Sequence, residues 1–63
     1  MDVQEKERHE QLQLRRWHIA HFLELGFGYR DSELLEAAAV DWREAERLLV
    51  RGCSHETALL ILI

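Results

Sequence analysis

Proline is absent from this 63-residue chain, glycine occurs three times, at 26, 28 and 52, and cysteine once, at 53. Without proline no helix is forced to break in its interior, so the three glycines carry most of the punctuation. A single cysteine excludes an intramolecular disulfide and leaves no pair for a structural zinc site of the usual kind, which fits a reducing compartment. No run of about 18 apolar residues exists to span a bilayer, and the opening "MDVQEKERHE" has no apolar signal core behind it. The expectation is a soluble, cytoplasmic chain. A formal charge of -4 with both signs interspersed supplies no broad cationic surface for phosphates.

What is present reads as helix. From Leu12 to Leu25, the residues Leu12, Leu14, Trp17, Ile19, Ala20, Phe22, Leu23 and Leu25 cover more than one narrow stripe of a 3.6-residue period, as expected of a long helix contacted on two sides. Residues 1–10 are polar apart from Met1 and Val3 and form an N-terminal extension, frayed or helical, before a single domain over residues 11–63. "LGFGYRDS" ends the first helix with Gly26 and Gly28, and Asp31 or Ser32 then caps a short helix from about Ser32 to Ala39. Asp41, followed by Glu44, resembles a capping box and starts a third helix at Trp42 that Gly52 stops. Ser54 caps a fourth helix, which carries "TALLILI" to the end.

Aligning Gly26 on Gly52 brings out a loose repeat with a period near 25, in which Trp17 pairs with Trp42, Ala20 with Ala45, and Phe22-Leu23 with Leu48-Leu49. The tryptophan and alanine spacings are one residue out of step with the leucines. The expected fold is therefore all-α, a small bundle of about four helices, one long and three short, forming two helical hairpins. Its core is expected around Trp17, Phe22, Leu34, Leu35, Trp42, Ala45, Leu48, Leu49 and Leu59. Alanine at Trp17 or Trp42 is expected to cost on the order of 3–5 kcal/mol.

Two family resemblances follow from these residues. "LLEAAAVDWREAERLLVRGC" resembles the helix-turn-helix of an ankyrin repeat, through Leu34, Leu35, Glu36, Ala37, Ala38, Asp41, Ala45, Leu48, Leu49, Gly52 and Cys53, with Thr57-Ala58-Leu59 like the opening of a following repeat. "CSHE" is too short for the projecting finger between such repeats, and the turn lacks the usual glycine before Asp41. "IAHFLELGF" is similar to the first helix and loop of a ubiquitin-associated three-helix domain, with Trp42, Ala45 and Leu49 at its third-helix core positions. That likeness implies a partner surface at Leu25, Gly26, Phe27 and the end of the third helix. Both resemblances imply protein binding without catalysis.

No residue set announces a reaction. His18 with His21, and Cys53 with His55, supply four donors for zinc, but the spacings are weak and the simpler reading is polar helix-face histidines and a small buried thiol, so no metal, catalytic residue or cofactor is assigned. A helix-turn-helix nucleic-acid-binding or transcription-regulating protein is the rival class. Its recognition helix would be "HETALLILI", which has no arginine, lysine, asparagine or glutamine to read base edges. The reading is a small non-enzymatic protein-protein interaction module, whose partner is another protein of unknown identity. Leu25, Phe27 and Tyr29 in the glycine loop, with Leu60, Ile61 and Ile63 at the C-terminal end, are the candidate contact residues. Two roles fit: an inhibitor or adaptor of the kind encoded by phages or mobile elements, or a scaffold that forms a homodimer through its C-terminal helix.

Overall fold

All three reversals among the described residues are made in the same way. The computed structural model describes residues 3–63, with side chains from residue 6 onward, and holds four helices: α1 (Val3–Glu24), α2 (Tyr29–Ala37), α3 (Trp42–Val50) and α4 (His55–Leu62). This is the expected all-α plan of one long helix and three short ones. Each of the first three helices ends in a paired-bond, left-handed C-cap. Gly26 N–H donates to the Leu23 carbonyl at 2.9 Å and Phe27 N–H to that of Phe22 at 3.1 Å. Ala39 and Val40 donate to Glu36 and Leu35, and Gly52 and Cys53 to Leu49 and Leu48, in the same pattern. The turning residue has positive φ each time: 99° at Gly26, 57° at Ala39 and 100° at Gly52. The three turning residues are evenly spaced, so the interval from Gly26 to Ala39 recurs from Ala39 to Gly52.

This cap satisfies carbonyls that a helix end would otherwise leave bare, and it sets the next residue against the helix just finished. Phe27 accordingly meets Phe22 edge to face, with ring centroids 6.2 Å apart. Helix starts keep the same step, with caps at Gly28, Asp41 and Ser54. Asp41 Oδ1 accepts from Arg43 N–H at 2.9 Å, and Ser54 Oγ accepts from Thr57 N–H at 3.1 Å.

The start of α2 differs from expectation. The turn at Gly26 is complete by Phe27, so the helix begins at Tyr29, ahead of Ser32, and ends at Ala37. Its cap is Gly28, extended at φ -65°, ψ 164°, with no side-chain cap bond, so neither Asp31 nor Ser32 caps it.

The helices stack as two hairpins. α1 packs on α2 and α3, and α4 packs on α3 and α2. Phe22, Phe27, Leu35, Ala45 and Ala58 form the buried core, with Val40, Trp42, Leu48, Leu49, Cys53 and Leu59 packed against it. Ile19, Ser32, Ala45 and Ala58, which follow one another at the same interval as the turns, are all buried, and three of them are small, which lets the helix backbones approach. An ion pair between Arg15 Nε and Glu36 Oε2 at 3.3 Å crosses from α1 to α2, where solvent limits it to about 1 kcal/mol at most. The N-terminal half of α1 projects from the stack, giving a long axis of 47 Å against 18 and 17 Å. The polar segment enters this same helix at Val3, and the part of it at Met1 and Asp2 lies outside the described residues.

Two expected core residues are on the surface. Trp17 is 51% exposed and Leu34 47%. One hairpin is two of these intervals long, the distance from Gly26 to Gly52, and this register sets Arg16, not Trp17, against Trp42, and Ile19, not Ala20, against Ala45. A slip of a single position is about 100° of helix rotation, enough to turn Trp17 out of the core. Leu34 is the outward member of an adjacent pair whose other member, Leu35, is fully buried.

The two left-handed glycines have unequal surroundings. A Cβ at Gly26 would lie 2.7 Å from His55 Nε2, whereas one at Gly52 would meet nothing within 4 Å. Gly52→Ala should cost about 1–2 kcal/mol from backbone strain alone. Gly26→Ala should cost about 2–3 kcal/mol because the imidazole must also move, and Ala39→Gly should stabilise by about 0.5–1 kcal/mol. Urea unfolding of the three variants checks this order. Ser32 Oγ is buried and has no hydrogen-bond partner among the described residues, while the matching positions 45 and 58 hold alanine. Ser32→Ala should therefore gain about 1 kcal/mol, seen as a rise of roughly 4–8 °C in Tm for a domain of this size.

Candidate protein-binding surface

The glycine loop is held from across the molecule. His55, the first residue of α4, brings Nε2 within 2.7 Å of the Leu25 carbonyl, and because a carbonyl only accepts, Nε2 carries the proton. The same ring stands edge-on to Phe27 at 5.0 Å. Phe27 is consequently a core residue, 3% exposed, and not the surface anchor expected from sequence. Leu25 is half-buried against the core, while Tyr29, at the start of α2, is exposed. Of the three loop candidates, Tyr29 alone presents most of its side chain to solvent.

The C-terminal candidates lie otherwise. Leu60 is 77% exposed, with Ile61 and Ile63 also exposed. α4 meets the rest of the protein through His55, Ala58, Leu59 and Leu62, and as an eight-residue helix on the outside of the stack it has no further helix among the described residues to cover its remaining sides. The structure therefore separates the two candidate groups instead of joining them into one patch: the loop turns inward and the helix end outward.

Several surface features escaped the sequence reading. Val50 is the most exposed large aliphatic residue, at 80%, near the end of α3. Leu12, Leu14 and Trp17 lie exposed on the projecting part of α1, and Glu10, Gln13, Leu14 and Trp17 share one shallow face of it. Between α3 and α4 runs an open groove lined by Glu44, Arg47, Leu48, Arg51, Ile61 and Leu62. The even spacing of the turns is the signal that would have found the groove, since it shows which positions on α4 correspond to buried ones earlier.

The aromatic groups form a ladder across the hairpins. His21 lies between the two tryptophans, edge-on to Trp17 at 4.1 Å and stacked on Trp42 at 4.5 Å with the planes 14° apart. Arg43 lies over the Trp42 ring, 5.4 Å from its centroid. His21 is thus engaged in packing and His55 with the loop carbonyl, and the structure does not gather His18, His21, Cys53 and His55 into one site. Among the described residues no group of three or more histidine, cysteine or acidic side chains is placed to hold a metal ion, and no helix is long and apolar enough to cross a membrane.

No family model, curated protein or solved structure matches this chain.

The two tryptophans should respond differently to truncation. Trp42 is half-buried and stacked, so Trp42→Ala should cost about 2–3 kcal/mol, whereas Trp17→Ala should cost about 1 kcal/mol or less. Chemical denaturation monitored by circular dichroism distinguishes them, and near-equal losses would mean that Trp17 is packed.

Proposed function

We propose that this chain is a small, non-enzymatic protein-interaction module that engages a larger protein through the apolar end of α4. The observation that carries the reading is the outward set of Leu60, Ile61 and Ile63, beside an open groove with a charged rim. Exposed apolar groups clustered inside a polar rim are typical of protein contact sites. A 63-residue domain with a core this small also gains from covering such a surface. Inhibitor and adaptor are the roles this supports, since each needs a folded surface and no chemistry. Both family resemblances lead to the same class, although the loop surface implied by the ubiquitin-associated likeness would have to act through Leu25 and Tyr29, with Phe27 buried. The nucleic-acid reading has less support: α4 shows leucine and isoleucine to solvent, and the face that gathers Arg43, Arg47 and Arg51 along α3 and its C-cap also holds Glu46 and Val50.

Affinity capture from a lysate of the organism encoding the chain, with wild type beside a Leu60→Ser, Ile61→Ser double variant, tests this reading. Both positions are exposed, so the variant should keep its helicity and lose most of the captured protein. Equal retention by the two chains would remove the α4 end from the interface, and no specific retention by either would overturn the reading.

A further inference from the structure

The second hairpin repeats the first in the register that sets Gly52 on Gly26, which makes it possible to ask what each face of the second would have met. The first hairpin meets the second through His21, which stacks on Trp42, through Leu25, whose carbonyl accepts the hydrogen bond from His55 Nε2, and through Phe22 and Leu35, fully buried in the core with Ala45 and Ala58. In that register these four become Arg47, Arg51, Leu48 and Ile61. All four line the open groove between α3 and α4. The second hairpin therefore repeats, at the free end of the stack, the face on which the first one seats a neighbour. At about 280 Å³ and open to solvent, the groove is below the usual size of a small-molecule site, about 300–1,000 Å³, and suits side chains of a packed helix.

The opposite end of the stack is more polar. The second hairpin meets the first with Trp42, Ala45, His55 and Leu59, and in the same register these correspond to Arg16, Ile19, Tyr29 and Glu33, which line a groove between α1 and α2. Ile19 is already buried, and Arg15, Arg16, Tyr29 and Glu33 surround an exposed Leu12, closer to the polar outer face that the terminal unit of a repeat stack requires. A second copy added head to tail would set Arg16 over Arg47, where Trp42 lies over His21, and bring like charges together. A copy added by a two-fold rotation, with the two α3 helices antiparallel, would set Glu44 of each copy against Arg51 of the other and bring Leu48, Ile61 and Leu62 to the axis.

We propose that two copies of this chain pair isologously through their α3–α4 grooves, making one stack of four hairpins with a polar end on each side. This rests on the reading of the α4 end as a protein-contact surface and takes a second copy, in place of a larger protein, as its occupant. It is tested on the full chain by sedimentation velocity and light scattering from micromolar to millimolar concentration. Wild type should pass from monomer to dimer, and Ile61→Glu should remain monomeric with its circular dichroism unchanged. Glu44→Arg alone, and Arg47→Glu with Arg51→Glu, should each weaken pairing by about tenfold or more, and an equimolar mixture of the two should restore it as a heterodimer. Dimers that survive Ile61→Glu, that are lost on Leu14→Glu instead, or that mixing fails to restore would overturn the proposal. A wild type that stays monomeric yet retains a protein through Leu60 and Ile61 would overturn the pairing and leave the interaction reading intact, whereas a monomer that retains nothing would overturn both.

Discussion

The rest of the structure depends on one contact made three times, between the residue just after each left-handed turn and the residue that accepts its hydrogen bond five positions back. Phe27 on Phe22, Val40 on Leu35 and Cys53 on Leu48 each combine a backbone bond of 3.0–3.1 Å with residues packed in or against the core. The bond fixes where one helix stops and the apolar contact fixes the direction in which the chain leaves, so the next helix begins almost at once. Helices of eight or nine residues are too short to persist alone in water. Here their ends are stabilised before their sides are packed.

Much of this is legible in the sequence. Gly26 and Gly52 mark two of the turns, Asp41 and Ser54 mark the caps that follow, and the helix class, the count and the two-hairpin plan come from those residues with the spacing of leucines. The break before Asp41 is legible too, but the residue that makes it is not, because Ala39, not glycine, takes the left-handed conformation, and alanine gives no sign that it will. Without it the repeat appears as one long period when its unit is half as long, and two large tryptophans attract an alignment that small buried residues should have decided. Ile19, Ser32, Ala45 and Ala58 share a register that size and polarity disguise. The inward turn of Phe27 follows from the cap at Gly26, which sets the next residue against the helix just finished, and His55, from the far end of the sequence, then packs on it.

The surface divides along the same lines as the interior. Residues at positions that bury on the first hairpin are apolar on the second as well, but among the described residues no further hairpin packs on the second. Leu48 and Leu62 are half-covered and Ile61 open, while the corresponding end of the first hairpin has exchanged apolar side chains for arginine, tyrosine and glutamate. A chain that needed only to be monomeric would gain from the same exchange at both ends, because an exposed aliphatic groove invites association. The two ends differ in balance: charged residues line both grooves, and the α3–α4 groove adds three aliphatic side chains, Leu48, Ile61 and Leu62, from facing helices.

The His55 bond to the Leu25 carbonyl has a kinetic consequence. Closely and evenly spaced reversals leave most contacts between near neighbours along the chain, so little loop-closure entropy opposes them and each hairpin can form in a fast, local step. Seating α4 on the first turn is different, because it joins groups separated by much of the domain and requires the first hairpin to be in place. The imidazole thus reports the docking of one half of the molecule on the other, and the ordering of the Gly26 loop is tied to the arrival of the last helix.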